Sequence, residues 1–173
     1  MSTIRRLAPG DEAALEAFLG AVPPGDRTFM KEDLEDPTAA RAWISDTAST
    51  RAVATEDDEI VGLAAVIPGV GWSSHVADLR LVVHPGHRRR GVGSELARWA
   101  VLEATRMGFK KLVVEVVAEQ EAAVAMFQGL GFEGEALLTD HIRDRDGNLR
   151  DLLLLAHRAD KNWSGLTTLG LGR

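Results

Sequence analysis

Apolar residues along this chain keep two different rhythms, and the places where one gives way to the other outline the fold. Residues 12–20 carry Ala14, Leu15, Phe18 and Leu19 at the three-to-four spacing of an amphipathic helix, behind Asp11, a helix-capping residue type. A weaker helical pattern covers 31–46. Asp36-Pro37 interrupts it, and Pro37 opens a second half bearing Ala39, Ala40, Trp43 and Ile44. The fullest stripe lies at 94–107, where Leu96, Ala97, Ala100, Val101, Ala104 and Met107 share one face and Gly108 supplies a stop. A short helix at 121–129 turns Ala123, Val124 and Phe127 inward. The helix-lining tryptophans Trp43 and Trp99 belong to the core.

The other segments follow strand patterns. Residues 4–7 form a short edge strand that Ala8-Pro9-Gly10 breaks. Residues 50–69 read as strand, turn, strand around Glu56-Asp57-Asp58-Glu59. In 75–85, Leu79, Leu81 and Val83 fall on one face and Asp78, Arg80 and Val82 on the other. Residues 110–119 are rich in β-branched side chains, which suggests burial on both faces. Residues 130–144 and 149–158 are two further strands around Asp146-Gly147-Asn148. Residues 22–29, with two prolines and a glycine, read as loop. The predicted order is β-α-α-β-β-β-α-β-α-β-β in one domain, 1–158. A Gly-, Ser- and Thr-rich tail, 159–173, follows, and its Trp163 could dock on the domain.

Composition narrows the function classes. The chain has 173 residues, enough to bury a core without covalent staples. It has no cysteine, which removes disulfides, thiolate metal sites and a cysteine nucleophile. No segment approaches the roughly 20 apolar residues of a membrane helix, and the first residues, MSTIRRLAPGDE, contain no apolar signal core. The expectation is a soluble cytoplasmic protein with no membrane partner. A net charge of −6 argues against general nucleic-acid binding. The absence of tyrosine bears on the chemistry below.

One stretch stands out against that acidic balance: HRRRGVGS, residues 87–94. It joins a strand to the strongest helix. The first amides of a helix lack intrahelical partners and lie at the positive end of its dipole. Gly91 and Gly93 would let a phosphate approach those amides, and Ser94 could add a hydroxyl. Two familiar nucleotide loops do not fit. Val92-Gly93 stands where a Walker loop needs Lys-Ser/Thr, and Gly91-x-Gly93 lacks the third glycine of the dinucleotide fingerprint.

A third pattern does fit. VVHPGHRRRGVGSELARWAV, residues 82–101, resembles the acyl-coenzyme A loop of the GCN5-related N-acetyltransferase (GNAT) superfamily, Arg/Gln-x-x-Gly-x-Gly/Ala after a strand and a Pro-containing turn. EVVAEQEAAVAMFQGLGF, residues 115–132, resembles that family's second signature through Ala123, Met126, Gly131 and Phe132. Gln120 stands where asparagine is usual and Phe127 where tyrosine is usual. The resemblance covers about residues 3 to 157. It implies an α/β (α+β) fold: a mixed, mostly antiparallel sheet of about seven strands, splayed after the fourth, with about four helices. It implies acetyl-CoA as cofactor, with the pyrophosphate on Arg88, Arg89, Arg90, Gly91, Val92, Gly93 and Ser94 and the pantetheine along Leu81, Val82 and Val83. Gln120 and Phe127 would complete the cofactor contacts. The acetyl group would pass directly to a primary amine, on a small molecule or a peptide. Self-association into a homodimer is left open.

Amine attack on a thioester needs a base for the amine, a polarised carbonyl and a proton for the leaving thiolate. By family analogy a backbone N–H near Leu81 to Val83 serves the carbonyl. Glu115 is the first candidate base, since a carboxylate is unexpected between Val114 and Val116 and burial there would raise its pKa. A structural pairing with an arginine such as Arg80 is the alternative. Asp78 is the second candidate, and a water chain with no single base the third. Phe127 cannot protonate sulfur, which leaves water, the amine's own proton or a neighbour such as His141. His84 and His87 have no acid cluster beside them, and no metal is expected. Acid for a cationic amine could come from Asp140, Asp144 and Asp146, with Arg143, Arg145 and Arg150 alongside. Acceptor choice would rest on the early helices, PPGDRTF and the last hairpin. A coenzyme-binding module without turnover is the competing reading.

Overall fold

A computed structural model describes residues 2–27, 31 and 36–159. The expected tail, with Trp163, and part of the helical pattern at 31–46 lie outside the described residues. The elements are β1 (Thr3–Arg6), α1 (Glu12–Ala21), α2 (Pro24–Arg27), α3 (Ala39–Ser45), β2 (Thr50–Glu56), β3 (Glu59–Pro68), β4 (Val76–Val83), α4 (Val92–Arg106), β5 (Lys111–Val117), α5 (Glu121–Gly129), β6 (Glu133–Arg143) and β7 (Leu149–Arg158). One seven-stranded sheet runs in the order β1-β2-β3-β4-β5-β7-β6. Every pairing is antiparallel except β4 with β5.

The period-two segments form this sheet because each has an apolar face to bury. Leu79 of β4, Leu112, Val114 and Val116 of β5 and Leu155 of β7 pack under α4 and α5, where Leu96, Ala97, Ala100 and Val101 are 0–1% exposed. On the opposite face Val53, Ile60, Leu63 and Val82 meet Leu15, Phe18, Leu19 and Ala40 from α1 and α3. Each fully buried Leu or Val side chain contributes about 1.5–3 kcal/mol, so α4 is the principal brace of the sheet. Asp57 and Asp58, both at positive φ (49° and 65°), make the two-residue turn of the β2–β3 hairpin.

Three local expectations change. The helix expected from 94 begins at Val92, because Gly91 at φ 91° turns the chain directly into it. The loop expected at 22–29 contains the single turn α2, started by Pro24, which raises the number of α-helical segments among the described residues to five. Asp11 precedes α1 but its side chain does not cap it. That carboxylate takes the N–H of Ala8 at 2.8 Å and both terminal nitrogens of Arg5 at 2.6 and 2.7 Å. The Arg5 guanidinium holds Asp11 below the usual carboxylate range. Glu103, buried on α4, is held low in the same way by Arg106 and Arg6, so β1 is fastened to the back of α4.

His157 gives the fold a pH signature. It lies buried on β7 opposite Leu112, tilted against Phe132 at 5.4 Å. Burial depresses its pKa below 6.5, which favours the neutral ring in the folded state. The unfolded chain therefore takes up the proton first as pH falls. Stability from this residue is complete above the unfolded value and declines as pH drops through it towards the folded one. Denaturant midpoints measured between about pH 8 and about pH 5 should fall for the wild type and fall less for His157→Phe.

Candidate active site

Register pairs between β4 and β5 run from Val76↔Lys111 to Leu79↔Val114 and then stop. Both strands continue, β4 to Val83 and β5 to Val117, with a wedge opening between them. A cavity of about 780 Å³ occupies the wedge and runs to the start of α4. The N–H of His84 bonds the carbonyl of Val61 on β3 at 2.8 Å. N–H groups alternate in direction along a strand, so those of Leu81 and Val83 face the other way, into the wedge. β4 thus offers a row of backbone donors and acceptors with no partner strand.

The mouth of the wedge is the loop before α4. Arg89 (φ 61°) and Gly91 (φ 91°) both adopt the left-handed conformation, one on each side of Arg90. Such alternation turns successive N–H groups towards a common point, the geometry that binds anions. No side chain caps the first turn of α4. A Cβ on Gly93 would come within 3.3 Å of Met126 Sδ, so a larger residue there requires the Met126 side chain to give way by a few tenths of an ångström. Arg88, Arg89, Gly91, Gly93 and Ser94 line the cavity. Arg90 is exposed outside its lining, and the side chain of Val92 is buried in the core, leaving only the backbone of Val92 to contribute. The Arg88 guanidinium is committed elsewhere. It pairs with Asp26 of α2 at 2.6 Å and donates to the carbonyl of Val83 at 3.3 Å.

Glu115 lies one residue beyond the last β4–β5 pair, at the vertex of the wedge. The expected enclosure by valines is absent. Val114 and Val116 pack into the α4–α5 core, and Glu115 faces the other side of the sheet with its side chain 28% exposed. Its partner is Lys31, whose Nζ lies 2.6 Å from Oε1, and not Arg80. Asp78 shares that face, across from Val113, and pairs with Arg80 at 3.5 Å. Gln120 occupies the N-cap position of α5 and lines the cavity. Phe127 also reaches the lining, with its ring edge-on to Phe132 at 5.2 Å. Ser94 carries the one side-chain hydroxyl among the described lining residues. Ile142 lines the cavity and its neighbour His141 does not. Asp144 is taken up by its own turn, accepting from the N–H groups of Asp146 and Asn148 and from Arg150.

The sequence reading nominated the segment 23–29 for acceptor choice but singled out neither its Asp26 nor Lys31. Nothing local could have revealed them, because their partners stand 62 and 84 residues away.

Fold and site together define a split-sheet protein with a left-handed loop and an uncapped helix start at the mouth of the split. The Acetyltransferase (GNAT) family profile matches residues 16–132, and the chain belongs to that family. It is similar to N-acetyltransferase family 8 member 3 of Mus musculus, 32% identical over 115 residues, which are 64% of this chain and 50% of that protein. The chain spans about half the length of such relatives. Its fold matches a GNAT-family acetyltransferase from Streptococcus pneumoniae with a TM-score of 0.80 at 23% identity, covering 91% of this chain and 99% of that one. It also matches yncA of Salmonella typhimurium, solved with its cofactor acetyl-CoA, with a TM-score of 0.73 at 20% identity, covering 93% and 95%.

Proposed function

We propose that this protein transfers an acetyl group from acetyl-CoA directly to a primary amine on a small molecule or peptide. The observation that carries the proposal is the juxtaposition of an uncapped, doubly left-handed loop with a strand edge whose N–H groups face the same cavity. The residues fit the coenzyme. Backbone amides from Arg89 to Ser94 suit its pyrophosphate, with Arg89 adding positive charge. The free edge of β4 at Leu81 and Val83 suits an extended chain of amides. When bound, acetyl-CoA supplies an acetyl group activated as a thioester.

The chain's own groups divide the remaining work. Glu115 accepts a proton from an ammonium group at the vertex of the wedge, as its contact with Lys31 illustrates. The N–H of Leu81 is placed to donate to a carbonyl oxygen lying in the split. Phe127 contributes shape and excludes water, and it has no proton to give. The thiol proton therefore comes from the amine, relayed by water or by Glu115.

The test has two stages. Acetyl-CoA and coenzyme A should each raise the melting temperature, and an oligonucleotide should not. A panel of primary amines should then release free thiol in the presence of enzyme. A melting shift without thiol release from any amine would favour the second reading, a coenzyme-binding module, which the lack of a hydroxyl at Phe127 and of any tyrosine in the chain supports. No shift with either coenzyme would remove the cofactor assignment.

A further inference from the structure

We propose that Lys31 is a self-acetylation site, modified by the protein's own acyl-transfer cleft. The inference rests on the reading above that Glu115 receives the proton of the acceptor amine. The chain already sets one primary amine on that carboxylate: the Nζ of Lys31 lies 2.6 Å from Glu115 Oε1. Both residues line the cavity that reaches the anion seat at Gly91 to Ser94. Glu115 follows directly on Val114, the last residue of β5 paired with β4. Lys31 is thus held where the sheet divides, on the route between the free edge of β4 and solvent. Its side chain is 51% exposed, so the amine is not locked away by packing.

The step balances without any further reagent. The ammonium of Lys31 gives a proton to Glu115. The freed nitrogen lone pair attacks the acetyl carbonyl carbon. A C–N bond forms, the C–S bond breaks with its electrons, and the coenzyme thiolate takes a proton. The net products are an uncharged acetyl-lysine, free thiol and one released proton. Acetylated Lys31 can no longer pair with Glu115, so the modification also frees the carboxylate for an incoming amine.

The molecule contains its own control. Lys111 forms a comparable ammonium–carboxylate pair with Glu135, at 2.5 Å, and lies outside the cavity lining. Chemical acetylation by acetyl-CoA in solution would favour Lys31 only as far as its greater exposure allows, 51% against 28% for Lys111, a difference of about twofold. A reaction inside the cleft would exceed that, since positioning replaces collision.

The experiment incubates purified full-length protein with acetyl-CoA and quantifies acetylation at Lys31, Lys110 and Lys111 by peptide mass. Coenzyme uptake is followed by melting shift in parallel. Lys31 should be acetylated at least about tenfold faster than Lys111. Its rate per molecule should not change when the protein is diluted. The Glu115→Gln variant should lose the Lys31 preference while still showing the coenzyme melting shift. Labelling of Lys31 no more than about twofold faster than Lys111, or a rate that rises with protein concentration, overturns the proposal. If external amines are acetylated while Lys31 stays unmodified, self-acetylation alone fails. If neither occurs although coenzyme binds, the transferase reading fails with it.

Discussion

Replacing Gly91 with valine should reduce coenzyme affinity at least about a hundredfold while the sheet still folds. Two effects combine at this position. The backbone sits at φ 91°, where an L side chain costs about 1–2 kcal/mol and a β-branched one more. The chain would relieve that strain by rotating the loop, which moves the amides of the first turn of α4 out of convergence. Hydrogen bonds to a charged group contribute about 1.5–3 kcal/mol each. Losing two corresponds to roughly a hundredfold or more in affinity. Open space surrounds the position where a Cβ would lie, so steric collision with the core is not the cause. Titration calorimetry with coenzyme A, set beside denaturant midpoints, separates binding from stability. Unchanged affinity in Gly91→Val would show that the loop amides do not hold the coenzyme.

Glu115→Gln should lower the rate of amine acetylation by about 10²- to 10⁴-fold, the usual contribution of a positioned general base. The amide keeps the size of the side chain and can still meet Lys31, but it cannot take up a proton. Coenzyme affinity should stay within about twofold, because Glu115 lies at the vertex of the wedge and the loop proposed to hold the pyrophosphate lies at its mouth. Asp78→Asn is the matched comparison. Its side chain is 45% exposed and paired with Arg80, so a smaller loss is expected there. If the rate and pH profile of Glu115→Gln overlay the wild type, proton uptake occurs elsewhere.

Much of this was legible in the sequence because it depends on short-range signals. The stripe from Leu96 to Ala104 and the glycine before it marked α4 and the turn that starts it, since helical periodicity and a positive-φ glycine such as Gly91 act within a few residues. The alternation along β4 correctly separated Leu79, Leu81 and Val83 from Asp78, Arg80 and Val82. What stayed hidden was long-range. Glu115 was expected to be buried by the valines next to it, but alternation sends those to the opposite face. The contacts of Lys31 with Glu115 and of Asp26 with Arg88 depend on where a poorly patterned connection crosses the sheet, and no local spacing encodes that. Asp144 suggested acceptor recognition by its charge, yet an Asp one residue before a turn commonly serves the turn's own amides, as it does here.

The division of β4 from β5 leaves the sheet with four edges instead of two. An exposed strand edge is a template for pairing with another chain, and proteins commonly blunt it. The outer edges are blunted in recognisable ways. β1 has only four residues, two of them arginines. β6 breaks its register with β7 between Leu138 and Ile142, with Asp140 at φ 53° inside the break. The inner edges are met by charge: Arg88 donates to the Val83 carbonyl, and the Glu115–Lys31 pair stands directly beyond Val114. Charge beside an exposed edge disfavours pairing with a further strand. The charged side chains that line the split are therefore also the guards of its two edges.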